Sequence, residues 1–340
     1  MDRLRWLAVF LLLFGPALWA AEKAFEVKPV ADGVYAAIAP GAYDGRCNSA
    51  LVLLDEGVLV VDTHLMPAQA RLLIAEIKKL TDKPVRYVLN THPHGDHFQG
   101  NQAFRDAWPA VEIIASEAGR RDLENRGLPR AARALWDVSR RVDTLKAELA
   151  KAPEAQKKDV QERLRQEEAA LTEQKTMQLA LPSLTFDHEM TLHHKSRTVE
   201  LICLGAAHSS SDVVAYLPNE KVIITGDLLH GWVPYMGDSS PYDWIRALER
   251  VEKLDFDVTI GGHGDVMRGK DQFEMWKQYF RDLLAETTQA YVQGATLDEA
   301  RKRVASALQA RYAGKFPTTF PQEVIGNIEK AYRVVSGATN

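Results

Sequence analysis

The chain has 340 residues, of which 46% are hydrophobic and 26% charged, and a formal net charge of -4. That length and apolar content allow a substantial core in one large or two ordinary domains, and the weak negative charge leaves no basic footprint for nucleic acid. Two cysteines, Cys47 and Cys203, are too few for a disulfide framework; a single bridge between them is left open.

Residues 1–20 read as a targeting segment. Arg3 and Arg5 precede an apolar stretch from Trp6 to Phe14, then a Gly15-Pro16 break and small residues from Ala17 to Ala21. This is the pattern of a secretory signal peptide cleaved after Ala20, and the apolar run is too short to span a bilayer. The expectation is a soluble protein, periplasmic or secreted, with no membrane anchor after cleavage and a folded domain over residues 21–340.

Gly33 to Ile38 reads as a strand, and Asn48 to Leu54 with Val58 to Val61 as a hairpin around Asp55-Glu56-Gly57. The second arm ends in Asp62-Thr63-His64. Pro67 opens a helix running to about Lys79, and a buried strand follows from Val85 to Leu89. That strand runs into Asn90-Thr91-His92-Pro93-His94-Gly95-Asp96-His97-Phe98-Gln99. Pro93 and Gly95 predict a loop rather than a regular helix. Imidazole and carboxylate packed this closely form the ligand set of zinc and its first-row neighbours. The stretch reads as a metal site.

A short helix after Gly100-Asn101 and a strand from Val111 to Ala115 come next. From about 118 to 181 charge dominates, and Leu135, Val138, Val142, Leu145 and Leu149 recur at helical spacing. Val160, Leu164 and Leu171 do the same beyond Pro153, predicting an inserted helical hairpin. A solvated hairpin on the rim is the preferred reading, with a lid or a homodimer contact as alternatives. Strand signals return at Leu184 to Phe186, Thr198 to Leu204, Val213 to Leu217 and Lys221 to Thr225. A helix from Pro241 to Lys253, a strand from Val258 to Ile260 and a helical segment over about 265–340 complete the chain. Two strand-rich halves carrying helices imply an α/β fold with two sheets face to face.

Three further candidates each follow a strand and stand beside small residues: His208, Asp227 and His263. With the first loop they make five histidines and two aspartates, more than one tetrahedral zinc needs. Together these motifs resemble the metallo-β-lactamase-fold hydrolase superfamily: Thr91 to His97 matches its signature loop, Asp62 the strand-end aspartate before it, and His208, Asp227 and His263 the later ligand positions. The resemblance runs from about Gly33 to Gly264 and implies an αββα sandwich with the site at one edge between the sheets. It also implies that His92, His94 and His208 hold one divalent metal, that Asp96, His97 and His263 hold a second, and that Asp227 bridges them. Zinc is the first expectation, with iron and manganese as alternatives.

Two close metals make hydroxide available near neutral pH and polarise the carbonyl it attacks. Asp96 is placed to hold that nucleophile and pass on its proton, and Asp62 to fix the tautomer of a ligand imidazole. In Leu228 to Gly237, His230, Trp232 and Tyr235 are the candidates for contacting a small-molecule substrate, whereas Val233 and Met236 are expected in the core. Gly205 to Pro218 resembles the metallo-β-lactamases themselves. However, Asp227 stands where their best-known subclass has a metal-binding cysteine, and His230 where that subclass commonly has a lysine. Aspartate at the bridging position is similar to glyoxalase II thioesterases, lactonases and exported proteins linked to quinoprotein oxidation. The resulting expectation is a dinuclear hydrolase of a cyclic amide or ester of the β-lactam or lactone kind. The alternatives are a thioesterase and a non-hydrolytic metal-binding accessory protein of a periplasmic redox system.

Overall fold

Branched and aromatic residues at period two set the strands, and the computed structural model arranges them in two sheets. It describes residues 25–40, 45–316 and 319–338. The expected signal peptide over 1–20 lies outside these residues. In the first sheet β1 (Glu26–Ala31), β2 (Val34–Ile38), β3 (Ser49–Leu53), β4 (Val58–Val61), β5 (Val85–Leu89), β6 (Glu112–Ser116) and β7 (Leu184–Phe186) lie in sequence order. Pairing is antiparallel from β1 to β4 and parallel from β4 to β7. The second sheet contains β8 (Glu189–His193), β9 (Thr198–Gly205), β10 (Asp212–Leu217), β11 (Val222–Gly226), β12 (Val258–Gly261) and β13 (Met267–Arg268), again in sequence order.

Three apolar layers hold the sandwich together. Between the sheets, Val52, Leu59, Leu89 and Ile114 meet Leu201, Val213, Leu217 and Ile224. Outside the first sheet, α1 (Pro67–Leu80) and α3 (Asn101–Ala107) bury Leu73, Ile77 and Phe104 against Val60 and Val88. Outside the second, α7 (Pro241–Val251), α8 (Asp271–Val292), α9 (Leu297–Tyr312) and α10 (Phe320–Ser336) contribute Trp244, Trp276, Phe280, Leu308 and Ile328. The result is the αββα sandwich that the resemblance implies. Among the described residues no helix is long and apolar enough to cross a membrane.

Between β6 and β7 the chain leaves the sandwich. α4 (Glu117–Asp122) runs through a π turn (Leu123–Gly127) into α5 (Leu128–Lys151), and α6 (Glu154–Thr176) returns. α5 and α6 close on their own seam of Val138, Val142, Leu145, Val160, Leu164 and Leu171, with ion pairs such as Arg141–Glu167 and Arg163–Glu148 across the rim. Cys47 and Cys203 are both free thiols, so they form no bridge.

One local expectation is corrected. The end of the histidine stretch is a single helical turn, α2 (Gly95–Phe98), not a loop. Pro93 lies ahead of that turn, where its missing N–H breaks no helical bond, and Gln99 N–H closes the turn on Gly95 O at 3.0 Å.

Candidate metal centre

The candidate residues stand beyond the carboxyl ends of neighbouring strands. Asp62 follows β4, His92 to His97 follow β5, Asp227 follows β11, His263 follows β12, and His208 lies between β9 and β10. The two sheets are tied at this edge: Val213 N–H bonds Thr91 O at 2.8 Å, and Asn48 Nδ2 donates to Gly261 O at 3.0 Å and Gly264 O at 2.7 Å. Residues distant in sequence therefore meet at fixed geometry.

Two clusters form there. His92, His94, His208 and Asp227 bring one potential ligand atom each within 4.8 Å of one another, and so do Asp96, His97 and His263. Asp227 stands between them. Its Oδ2 is 4.0 Å from His92 Nε2, 3.6 Å from His208 Nε2 and 3.4 Å from His263 Nε2, while Oδ1 is 3.5 Å from His97 Nε2. Asp96 Oδ2 lies 3.4 Å from both His97 Nε2 and His263 Nε2.

These residues fit divalent cations. His92 Nε2, His97 Nε2 and Asp227 Oδ1 are buried without a hydrogen-bond partner, and all belong to the clusters. Uncompensated buried polar atoms are costly unless something satisfies them; a cation would do so. Electrostatics agrees. Burial and the adjacent imidazoles hold His92 and His208 well below the usual histidine range, leaving them neutral donors. Burial also opposes charge on His263, but Asp227 and Asp96 outweigh it and raise its pKa to about 9. His97 is likewise raised against burial by Asp96 and Asp227. Burial would raise Asp96 and Asp227 themselves, yet His97 and His263 keep both well below the carboxylate range. Without a cation, the charged His97 and His263 rings supply the positive charge beside these carboxylates, a role that a cation would take over.

The surroundings fix the rings. Asp62 adopts a left-handed backbone with φ 64°, and its carboxylate accepts Thr91 N–H at 2.9 Å, Thr91 Oγ1 at 2.8 Å and His97 Nδ1 at 2.8 Å. It thus caps the backbone and orients an imidazole at once. Asp212 accepts Ser209 N–H at 2.9 Å and Oγ at 3.0 Å, closing the turn that carries His208. A Cβ on Gly262 would collide with Asp227 Oδ1. Only glycine allows that strand end to come so near.

Arg46, Asp96, Arg130, His230, Trp232 and Tyr235 line a cavity of about 560 Å³ over the clusters. Trp232 stacks on His263 with centroids 4.3 Å apart, and Tyr235, 48% exposed, edges His94 and His208. Val233 and Met236 are buried in the second-sheet core. His230 is buried against Trp276, and burial lowers its pKa to about 3. Its Nδ1 accepts Trp232 N–H at 3.1 Å, which leaves the ring proton on Nε2.

Sequence reasoning missed three participants. Asp238 bonds His94 Nε2 at 2.9 Å across 144 positions of chain, and Arg130 bonds Asp238; no local pattern marks either. Cys47, which lies outside the histidine stretch, groups with Asp62 and His97. Burial pushes its thiol up to about 12, so it stays protonated beside the clusters.

A two-sheet αββα sandwich with paired histidine–aspartate clusters at one sheet edge defines a class of metal-dependent proteins. Residues 42–263 match the family model of the metallo-β-lactamase superfamily, and the chain belongs to that family. Solved structures with the same fold include a metallo-β-lactamase from Pontibacter korlensis, 18% identical with TM-score 0.55 over 76% of this chain and 99% of that one. Another is the FIM-1 metallo-β-lactamase from Pseudomonas aeruginosa in its mono-zinc form, 17% identical with TM-score 0.52 over 76% of this chain and 95% of that one. Among curated proteins, the linear primary-alkylsulfatase of a Pseudomonas species is 23% identical over 298 residues, 82% of this chain and 53% of the relative. The chain spans about half the length of that relative.

Proposed function

We propose that the protein is an exported hydrolase that holds two divalent cations, zinc first among them, and cleaves the acyl bond of a cyclic amide or ester. The observation that carries this reading is Asp227, whose two oxygens face His208 Nε2 at 3.6 Å and His97 Nε2 at 3.5 Å, one from each cluster. His92, His94 and His208 would hold one cation and Asp96, His97 and His263 the other, with Asp227 shared. When bound, such cations supply Lewis acidity and a water acidic enough to deprotonate near neutral pH.

The side chains do the rest. Asp96, at the cavity edge, is placed to hold the water and to relay its proton onwards as it is consumed. His230, neutral with its proton on Nε2, donates to a substrate oxygen. Trp232 and Tyr235 give the cavity aromatic walls suited to a small molecule.

A second reading is sulfate-ester hydrolysis, favoured by the alkylsulfatase relative and by two arginines, Arg46 and Arg130, at the cavity. The zinc-loaded protein assayed on a β-lactam, a lactone, a thioester and a primary alkyl sulfate separates these. Lactam or lactone turnover well above the rest is expected. Dominant sulfate or thioester turnover replaces the substrate class, and no turnover of any points to an accessory role.

A further inference from the structure

The inserted hairpin reaches the candidate metal centre through one chain of polar contacts. Arg130, in the first turn of α5, donates from Nη2 to both carboxylate oxygens of Asp238 at 2.9 Å. Oδ2 of that carboxylate lies 2.9 Å from His94 Nε2. The opposite ring nitrogen, His94 Nδ1, faces His208 Nε2 at 2.8 Å, inside the first cluster. With Nδ1 turned to the cluster, the ring proton is on Nε2 and donates to Asp238.

His94 needs this support more than its neighbours do. The side chains of His92 and His208 are 1% exposed and so held by packing, whereas that of His94 is 14% exposed. His92 has Thr91 Oγ1 at 3.0 Å behind its Nδ1, and His97 has Asp62. For His94 the corresponding group is Asp238, carried on the irregular segment between β11 and α7. The backbone on either side is held by the Ser239–Met236 turn and by Asn327, but the Asp238 carboxylate itself is oriented by Arg130 from the insert. The π turn Leu123–Gly127 immediately precedes α5. By widening the helix there, it resets the angular phase of the residues that follow, Arg130 among them.

We infer that the inserted hairpin is a positioning element of the metal centre: Arg130 fixes Asp238, Asp238 fixes the ring of His94, and the insert thereby sets how tightly the His92–His94–His208 cluster holds its cation. Carboxylates behind ligand imidazoles fix the tautomer and raise the basicity of the ligand, and losing one typically costs ~10- to 100-fold in metal affinity. This inference rests on the cation-binding reading of that cluster. It departs from the picture of a passive hairpin on the rim.

The test uses the full chain and stepwise Zn2+ affinities from competition with a chromogenic chelator, with His263→Ala identifying the affinity that belongs to the second cluster. Asp238→Ala is expected to weaken the first cation by ~10- to 100-fold and leave the second unchanged. Arg130→Ala, removing a half-exposed partner, should weaken it by about 3- to 10-fold, and Arg130→Lys should recover part of the loss. In the Asp238→Ala background, Arg130→Ala should cost nothing more. Asp238→Asn, which keeps shape and an acceptor, guards against a variant that fails to fold. Wild-type affinity in Asp238→Ala overturns the inference while leaving the two-cation reading intact. Equal weakening of both cations with a lower Tm also overturns it, since that is a general structural effect. Wild-type protein that takes up no zinc removes the cation reading itself, and the inference with it.

Discussion

His97 Nδ1 lies 2.8 Å from Asp62 Oδ2, and both side chains are almost fully buried. The contact turns Nε2 of the same ring towards Asp96 and Asp227. The left-handed backbone at Asp62 is a conformation that side chains other than glycine rarely adopt. Three donors converging on its carboxylate hold it there.

Asp62→Ala should therefore lower the affinity for the second cation by ~10- to 100-fold. It should also destabilise the fold by about 1–3 kcal/mol for each buried donor left without an acceptor. Chelator competition and chemical denaturation measure the two effects. An unchanged second-cation affinity would show that Asp62 serves the backbone alone.

The two clusters should also differ in their response to acid. His263 has a pKa raised to about 9, so below that pH a cation must displace a proton to reach it. His92 and His208 are held well below the usual histidine range and carry no proton to displace at neutral pH. Lowering the pH from 9 to 6 should thus weaken the second cation by up to ~10-fold per pH unit for each proton displaced, while the first changes little. Zinc titrations across that range check the order of loss. Loss of the first cation before the second would contradict it.

Much of this site was legible because its strongest signal is local. His92, His94, Asp96 and His97 lie within six consecutive positions after β5, and each later candidate follows its own strand. The helices and most strands follow from period alone. β8 carries the alternation, with Met190 and Leu192 on the inter-sheet core, but was passed over as a short strand with only two apolar residues at a sheet edge, and β1 at an edge of the first sheet was passed over too. β13 is two residues long, too short for any period. The turn α2 was hidden by the proline and glycine around it. Asp238 and Arg130 join the site by contacts across more than a hundred residues, Cys47 by lying beside the neighbouring strand ends that carry Asp62 and His97, and composition carries no trace of that.

Gly262 offers a test of how tightly the shared carboxylate is placed. A Cβ there would strike Asp227 Oδ1 and press on His97. Gly262→Ala should leave the sandwich folded but reduce cation uptake at both clusters, since Asp227 faces both. Circular dichroism together with elemental analysis checks this; full uptake would mean that the strand end yields without moving Asp227.

His230 separates substrate handling from metal binding. It belongs to neither cluster, yet it lines the cavity 5.5 Å from the His263 ring. His230→Ala should keep both cations and lower turnover on the best substrate by ~10- to 1000-fold, the scale of losing one oriented donor. Normal turnover with normal metal content would remove it from the site.

On the function proposed above, Asp227 joins two cation sites. Elemental analysis of purified, zinc-equilibrated protein, set beside Asp227→Ala, tests it most directly. Two zinc ions per chain are expected in the wild type, with loss of at least one in the variant. One ion per wild-type chain, or the same content in both proteins, would contradict it.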